Sequence, residues 1–254
     1  AGFVRHLEVD ISGTPLAGSF QPGQSFGVIP PGTDEKGKPH KVRLSSLSSP
    51  SAGEDGAGGV ISTTVKRTID HHWDTEELFL GVASNYLCDL KVGSEVLVTG
   101  PVGKRFLLPK DPSAHDYLFV ATGTGIAPFR GMLKELLQIG CKSRIALVMG
   151  APYATDLLYH SELLQLEQEH EHFTYLTAIS RERQADGHDQ MYVGDRISQS
   201  WDALAPQLLG ERNLIYVCGV AGMEVGLFQS LANRLQGAAL EAYLRVDGAL
   251  LRDV

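Results

Sequence analysis

The feature that most limits the folds open to this 254-residue chain is a change of rhythm at DPSAHD, residues 111–116. Before it, short segments such as VRHLEVDIS, SFGVIP, KVRLSS, ISTTVKR, LFLGV and EVLVTG are separated by Gly and Pro punctuation. That cadence predicts an antiparallel β-barrel or sandwich. After it, the apolar runs YLFVA, RIALVM, FTYLTAI and LIYVCG alternate with helical patterns. Strands apolar on both faces, each followed by a helix, imply a parallel sheet of doubly wound α/β type. Two domains are therefore expected, residues 1–112 and 113–254, with the boundary near 110–115. In the first helix of the second half, Phe129, Met132, Leu133, Leu136 and Leu137 recur at i, i+3, i+4, i+7 and i+8. One face of that helix is expected to pack on a sheet. Two loops, residues 30–41 and 49–59, are too rich in Gly and Pro for regular structure.

Composition narrows the function classes. With 43% hydrophobic residues the chain can bury a substantial core, yet no apolar run approaches the length of about 18 residues that a membrane helix needs. No integral membrane segment is expected. The net charge of −8 argues against nucleic acid, and it is uneven: residues 1–110 carry a net −1 and residues 111–254 a net −7. Cys88, Cys141 and Cys218 are too widely spaced for a zinc pattern or a disulfide framework, so the cytoplasm or another reducing compartment is expected. His71, His72, His170 and His172 lack the spacing of a metal motif, and no metal is expected. The chain starts at Ala1 without a Met, which reads as a processed chain or as part of something longer.

The chemistry gathers at the ends of the apolar runs. In ATGTGIAPFR, Gly123 and Gly125 permit a tight turn and close ligand approach, and Pro128 suits a first helical turn. The helix start beyond offers amides and a positive dipole end to a phosphate. In AISRER, Ser180 and Arg181 are able to grip a phosphate monoester, and Tyr192 in QMYVGDR to stack on adenine. The run YVCGVAGME again places Cys218 and glycines where open α/β sheets bind ligands. In the first half, GVASNYLCDL reads as a serine N-cap at Ser84 with free amides behind it, a second anion site that Arg43 in KVRLSSLSSP would complete. Taken singly, each of these is equally an ordinary turn, cap or solvated strand end.

Taken in order, the motifs SFQPGQSFGVIPPG, GKPHKVRL, ASNYLCDLKVGSEVLVTGPVGK, ATGTGIAPFRGML, AISRE and VCGVAGMEVG resemble the plant-type ferredoxin–NADP reductase family over nearly the whole chain. The resemblance implies an FAD-binding antiparallel barrel followed by an NADP(H)-binding α/β domain. It also implies hydride passing between nicotinamide and flavin N5, and single electrons passing to a ferredoxin-like iron–sulfur protein or domain. By the same resemblance Arg43 pairs with the FAD pyrophosphate, Leu44 and Ser45 flank it, and Ser46 lies close to flavin N5. The amides of Val82, Ala83 and Ser84 hold the same pyrophosphate, and Lys66 reaches the NADP phosphates. Thr122, Gly123, Thr124 and Gly125 meet the nicotinamide half, with Cys218, Gly219 and Glu224 beside it. Ser180, Arg181, Gln190 and Tyr192 surround the 2′-phosphate adenosine. Ser46, Cys218 and Asp253 are the candidate catalytic residues.

Departures from the family pattern are equally specific. Ser45 stands where a tyrosine would stack on the flavin ring, and Asp70 where an aromatic would meet the FAD adenine, with Trp73 the nearby substitute. Gln190 replaces a lysine of the 2′-phosphate site, which predicts a weaker preference for NADP over NAD. The chain ends LLRDV, where the family ends in an acid and a tyrosine; Asp253 would supply the acid. A cationic docking surface for an acidic partner would draw on Lys36, Lys38, Lys41, Lys91, Lys104 and Arg105. Two other readings stay open: the reductase part of an oxygenase or epoxidase system, and a flavin- or nucleotide-binding relative without turnover.

Overall fold

A computed structural model describes residues 3–71, 74–234 and 250–251. It divides into two compact units, Gly2–Leu108 with Ala127–Glu135, and Pro109–Ile126 with Leu136–Val254.

The first unit is antiparallel. Its elements are β1 (Val4–Asp10), β2 (Ser25–Val28), β3 (Arg43–Ser46), β4 (Val60–Lys66), β5 (Ile69–His71), β6 (Leu78–Leu80), α1 (Val82–Asp89) and β7 (Val98–Val102). Among the described residues β1 pairs with β4, β2 lies between β3 and β7, and β5 pairs with β6. A bridge from Leu47 to Thr63 joins the end of β3 to β4. The core forms where the inward positions of these short strands meet: Phe20, Phe26, Val28, Leu47, Ile61, Val65 and Leu87 are buried together. The loops at 30–41 and 49–59 contain no helix or strand beyond one isolated bridge, as their composition predicts.

The second unit is α/β. From here the chain runs β8 (Asp116–Thr122), α2 (Ile126–Gln138, whose residues Ala127–Glu135 belong to the first unit), β9 (Ile145–Ala151), α3 (His160–Glu169), β10 (Phe173–Ile179), α4 (Val193–Gln199), α5 (Trp201–Leu208), β11 (Asn213–Cys218), α6 (Met223–Arg234) and β12 (Leu250–Leu251). The strands form one parallel sheet in the order β10-β9-β8-β11-β12. Every residue of β9 is buried, and all of β8 except Thr122. This is why these runs are apolar on both faces: helices cover a parallel sheet on each side. The order grows outward in both directions from β8, so the chain reverses direction across the sheet between β8 and β11. Ligands of open α/β sheets bind beside such a switch, at the C-terminal strand ends.

Helix α2 departs from the one-faced stripe expected of it. Phe129, Met132, Leu133 and Leu136 are fully buried and Leu137 half-buried, but Ala127, Arg130 and Gly131 on other sides are buried as well. Gly131 is required by a close approach, since a β-carbon there would stand 2.5 Å from the Ser49 carbonyl oxygen. Arg130 is kept ionised in this setting by a polar cluster. Its guanidinium pairs with Glu54 and donates to the Ser48 carbonyl at 2.9 Å. Lys134 Nζ donates to the other Glu54 oxygen at 3.0 Å, and the Ser62 hydroxyl to the first at 2.6 Å. The hydroxyls of Ser48 and Ser62 share a bond of 2.8 Å.

Burial opposes ionisation of Glu54, yet hydrogen bonds from Arg130 and Ser62, the Arg130 charge and Lys134 outweigh it. They hold its pKa at about 2, below the ordinary 4.5. The folded-state value is the depressed one, so the stabilisation is complete above the unfolded-state value and is lost as pH falls towards the folded one. Glu54→Gln is expected to lose about 3 kcal/mol near neutrality, because it leaves Arg130 buried without its counter-charge. Urea denaturation along a pH series checks this: the gap between wild type and variant should close between pH 4.5 and about 2. A gap independent of pH would show that the ion pair is not its source.

Candidate functional site

In the α/β unit, the candidates collect at the C-terminal edge of the sheet because neighbouring strands end in register. Thr122 pairs with Gly150, Cys218 with Ala121 and Ile179 with Ala151. Beyond β8 the chain makes a single turn of 3-10 helix over Gly123–Gly125 and enters α2. Gly123 has φ +54°, a left-handed value that favours glycine. Gly125 is fixed by proximity instead, since a β-carbon would fall on the carbonyl oxygen of Cys218. The reverse holds across the gap, where a β-carbon on Gly219 would fall on Thr122 Oγ1. That hydroxyl accepts a hydrogen bond from the Val220 amide at 2.9 Å. Two strand ends are thus pressed together, with glycines and the small Thr122 hydroxyl where they meet. Cys218 stands here as a half-buried thiol, and Glu224 lies in the first turn of α6, where its charge suits the helix dipole.

At the β10 end, the Ser180 amide donates to Ala151 O at 3.0 Å and the Arg181 amide to Pro152 O at 2.9 Å, fixing both residues to the loop after β9. The chain then folds back on itself: Gln184 N donates to His188 O at 2.9 Å, and Met191 N to Ile179 O at 2.8 Å. The return leaves Gln190 exposed and Tyr192 73% exposed, its ring open to stacking. Asp186 is bonded by His188 and by the buried Arg196 at 2.8 Å. Burial works against its charge, but those partners hold the pKa at about 2. This brace escaped the sequence reading; the Asp186-Gly187 pair was the available turn signal.

In the antiparallel unit, Arg43 and Leu44 are exposed on β3, and Ser45 and Ser46 are half-buried. Among the described residues the Arg43 guanidinium donates to its neighbour's carbonyl, Val42 O, at 3.3 Å, and the rest of its fork suits an anion. The Ser46 carbonyl accepts from Thr63 Oγ1 at 2.7 Å, which ties the strand end to β4. Ser48 and Ser49 are completely buried in the Glu54 cluster. The serine run therefore has two uses that its sequence does not separate. Opposite Ser45 stands Phe26, completely buried and edge-on to Phe20, so that ring does not replace the missing tyrosine. Lys66 is exposed at the end of β4, and Asp70 is exposed in β5.

One expectation is corrected. Ser84 is not the N-cap of its helix; Gly81 is, and α1 starts at Val82. The shift follows from bonding, because Asn85 N already donates to Gly81 O at 3.0 Å and Asn85 Nδ2 to the same oxygen at 2.8 Å. The Ser84 hydroxyl donates to Gly81 O at 3.2 Å and accepts from the Thr68 amide. No side chain caps the helix, so the opening amides at Val82, Ala83 and Ser84 remain available to an anion. Asp253 and Trp73 lie outside the described residues. Among the described residues no group of His, Cys, Asp and Glu is arranged to hold a metal, and no helix is long and apolar enough to cross a membrane.

A family model described as an oxidoreductase NAD-binding domain matches residues 119–227, which include the strand ends above. The chain is 42% identical over 237 residues to a ferredoxin–NADP reductase of Spirulina, covering 91% of this chain and 80% of that one. The chain belongs to the ferredoxin–NADP reductase family. A ferredoxin–NADP reductase of Thermosynechococcus vestitus is 39% identical over 96% of this chain, and a chloroplastic one of Mesembryanthemum crystallinum 42% identical over 82%. The chain spans 64% and 58% of those two relatives' lengths. The ferredoxin–NADP reductase of Plasmodium falciparum shares the fold, with a TM-score of 0.72 at 23% identity over 94% of this chain and 86% of that one. The ferredoxin–NADP reductase family is a family of oxidoreductases that use FAD and NADP(H), so the two-domain architecture has a counterpart in solved structures.

The interlocked strand ends make a test. Gly125→Ala drives a methyl group into the Cys218 backbone and should cost about 1–3 kcal/mol and most of the NADPH affinity. At Gly123 a methyl group meets open space, so Gly123→Ala should cost only about 1 kcal/mol of left-handed strain. Thermal denaturation and NADPH titration of both variants check the ranking, and equal effects would contradict it.

Proposed function

We propose that this chain is an FAD-dependent reductase that passes hydride between NADP(H) and flavin and single electrons between flavin and a ferredoxin-like iron–sulfur protein. It comprises an FAD-binding domain, 1–112, and an NADP(H)-binding domain, 113–254. The observation that carries the reading is the close contact of Thr122–Gly125 with Cys218–Gly219 at the switch of the parallel sheet, made of backbone, two glycines and the Thr122 hydroxyl. A surface of backbone and small residues there suits a flat ring.

The residues present fit both groups. For FAD, Arg43 offers an exposed guanidinium with no acidic partner among the described residues, and α1 offers amides at Val82, Ala83 and Ser84 that no described side chain caps; cation and amides suit a pyrophosphate. For NADP(H), Ser180 and Arg181 suit the 2′-phosphate and the exposed Tyr192 ring the adenine. FAD, when bound, exchanges hydride with the nicotinamide and single electrons with the iron–sulfur acceptor. Ser46 is positioned through its carbonyl and would present its hydroxyl to the flavin edge. The Cys218 thiol and the Glu224 carboxylate would orient the nicotinamide. Lys66 would add charge for the NADP phosphates. A reducing compartment fits three thiols of which none is in a disulfide.

The exposed Lys36, Lys38, Lys41, Lys91, Lys104 and Arg105 fit an acidic protein partner. Purified protein supplied with FAD should lose its flavin absorbance on anaerobic addition of NADPH and then reduce an acidic ferredoxin. The rate should fall several-fold as salt is raised past about 0.1 M, where the Debye length shrinks to about 10 Å. Flavin that stays oxidised under NADPH would overturn the reading. A rate insensitive to salt would remove only the cationic docking surface.

A further inference from the structure

The 2′-phosphate site read above lacks one cation, since Gln190 stands where the family has a lysine. The fold-back of residues 180–192 brings another cation to the same place. The Gln184 amide donates to His188 O at 2.9 Å, Gly187 N to Gln184 O at 3.0 Å, and Gln184 Nε2 to Asp189 O at 3.2 Å. These bonds make a tight reversal, and Arg196 braces it from the helix side through Asp186. Residues flanking the reversal must then face each other across it. Arg183 Nε lies 3.5 Å from Asp189 Oδ1, immediately beside Gln190.

We infer that Arg183 is a specificity-determining residue that supplies, from the opposite side of this reversal, the second positive charge that position 190 lacks. The inference rests on the reading of this loop as the 2′-phosphate site. Three features support it. Arg183 is 75% exposed and Asp189 90% exposed, so their attraction is weak, and a phosphate monoester with more charge and three acceptor oxygens displaces it readily. The Arg181 amide is tied to Pro152 O, so Arg181 leaves the strand end from a fixed point, and Arg183 follows two residues later in the same turning segment. The intervening Glu182 is turned away, its carboxylate accepting from the Ala154 amide and so removed from the phosphate's path. Arg183 and Arg181 would then offer a phosphate two guanidinium groups, each suited to bidentate binding.

Asp189 gives the arrangement a signature that a simple surface charge would not have. It competes with the phosphate for Arg183, so its removal should tighten binding, while removal of Arg183 should weaken it. The test is steady-state kinetics of the holoenzyme with NADPH and NADH, together with titration by 2′-phospho-AMP. Arg183→Ala should raise KM for NADPH and the dissociation constant of 2′-phospho-AMP about tenfold, with kcat and KM for NADH unchanged. Asp189→Asn should lower both NADPH-side constants by a factor of about 2–3, and Asp189→Asn added to Arg183→Ala should do nothing further. Gln190→Lys should restore the loss in Arg183→Ala. If Arg181→Ala weakens 2′-phospho-AMP and Arg183→Ala does not, the inference fails and the site stands. If neither variant changes 2′-phospho-AMP binding, the assignment of the loop itself fails.

Discussion

Two strand ends at the switch of the parallel sheet approach so closely that neither tolerates a β-carbon. Gly125 lies against the Cys218 carbonyl and Gly219 against the Thr122 hydroxyl, and one hydrogen bond, Val220 N to Thr122 Oγ1, closes the gap. The contact follows from chain direction. Strands β9 and β10 are laid down on one side of β8 and β11 on the other, so the loops leaving β8 and β11 must part in opposite senses above adjacent ends. Above that contact the loops diverge, and glycines let the surface between them be made of backbone. A site of this kind is bought by topology before any side chain is chosen, which is why dinucleotide chemistry and the sheet order occur together.

The antiparallel unit solves a different problem. Its strands are short and its loops long, so register near Ser46 needs support beyond the ladder. That support is ionic. Glu54 gathers Arg130, Lys134 and Ser62, while Arg130 also holds the Ser48 carbonyl two residues from Ser46. Apolar packing of the same volume would serve stability equally well. What it would not do is orient a carbonyl and two hydroxyls, and orientation at this strand end is what the role proposed for Ser46 requires.

Much of this was legible in the sequence, and the limits of legibility follow a pattern. The apolar runs from YLFVA to LIYVCG became β8 to β11 because strands covered on both faces must be apolar throughout. Gly125 and Gly219 were found because backbone proximity leaves no alternative residue, and Gly123 and Gly222 because a left-handed turn favours glycine. The Ser84 cap was misplaced because capping depends on where the first turn closes, and Asn85 at the next position closes it on Gly81. Ser48 and Ser49 looked like loop polarity because their partners, Glu54 and Arg130, lie at sequence distances that no local pattern connects. The stripe on α2 was real but incomplete, since Arg130 and Gly131 are buried through those same distant contacts.

The two departures at the cofactor-binding residues differ in kind. A phosphate is recognised by charge, which acts over several ångströms and in any direction, and arginine is long enough to deliver it from more than one position. The loss at Gln190 is therefore open to repair from across a turn, and Arg183 stands there. A flavin ring is recognised by a flat face at van der Waals distance, which only a side chain at the right position and angle provides. The ring opposite Ser45 belongs to Phe26, and it is committed to the core against Phe20. A chain can move a charge and keep its specificity, whereas a stacking face removed from β3 has to be replaced in place or done without. At the sites proposed, the stacking face at Ser45 is accordingly harder to replace than the charge at Gln190.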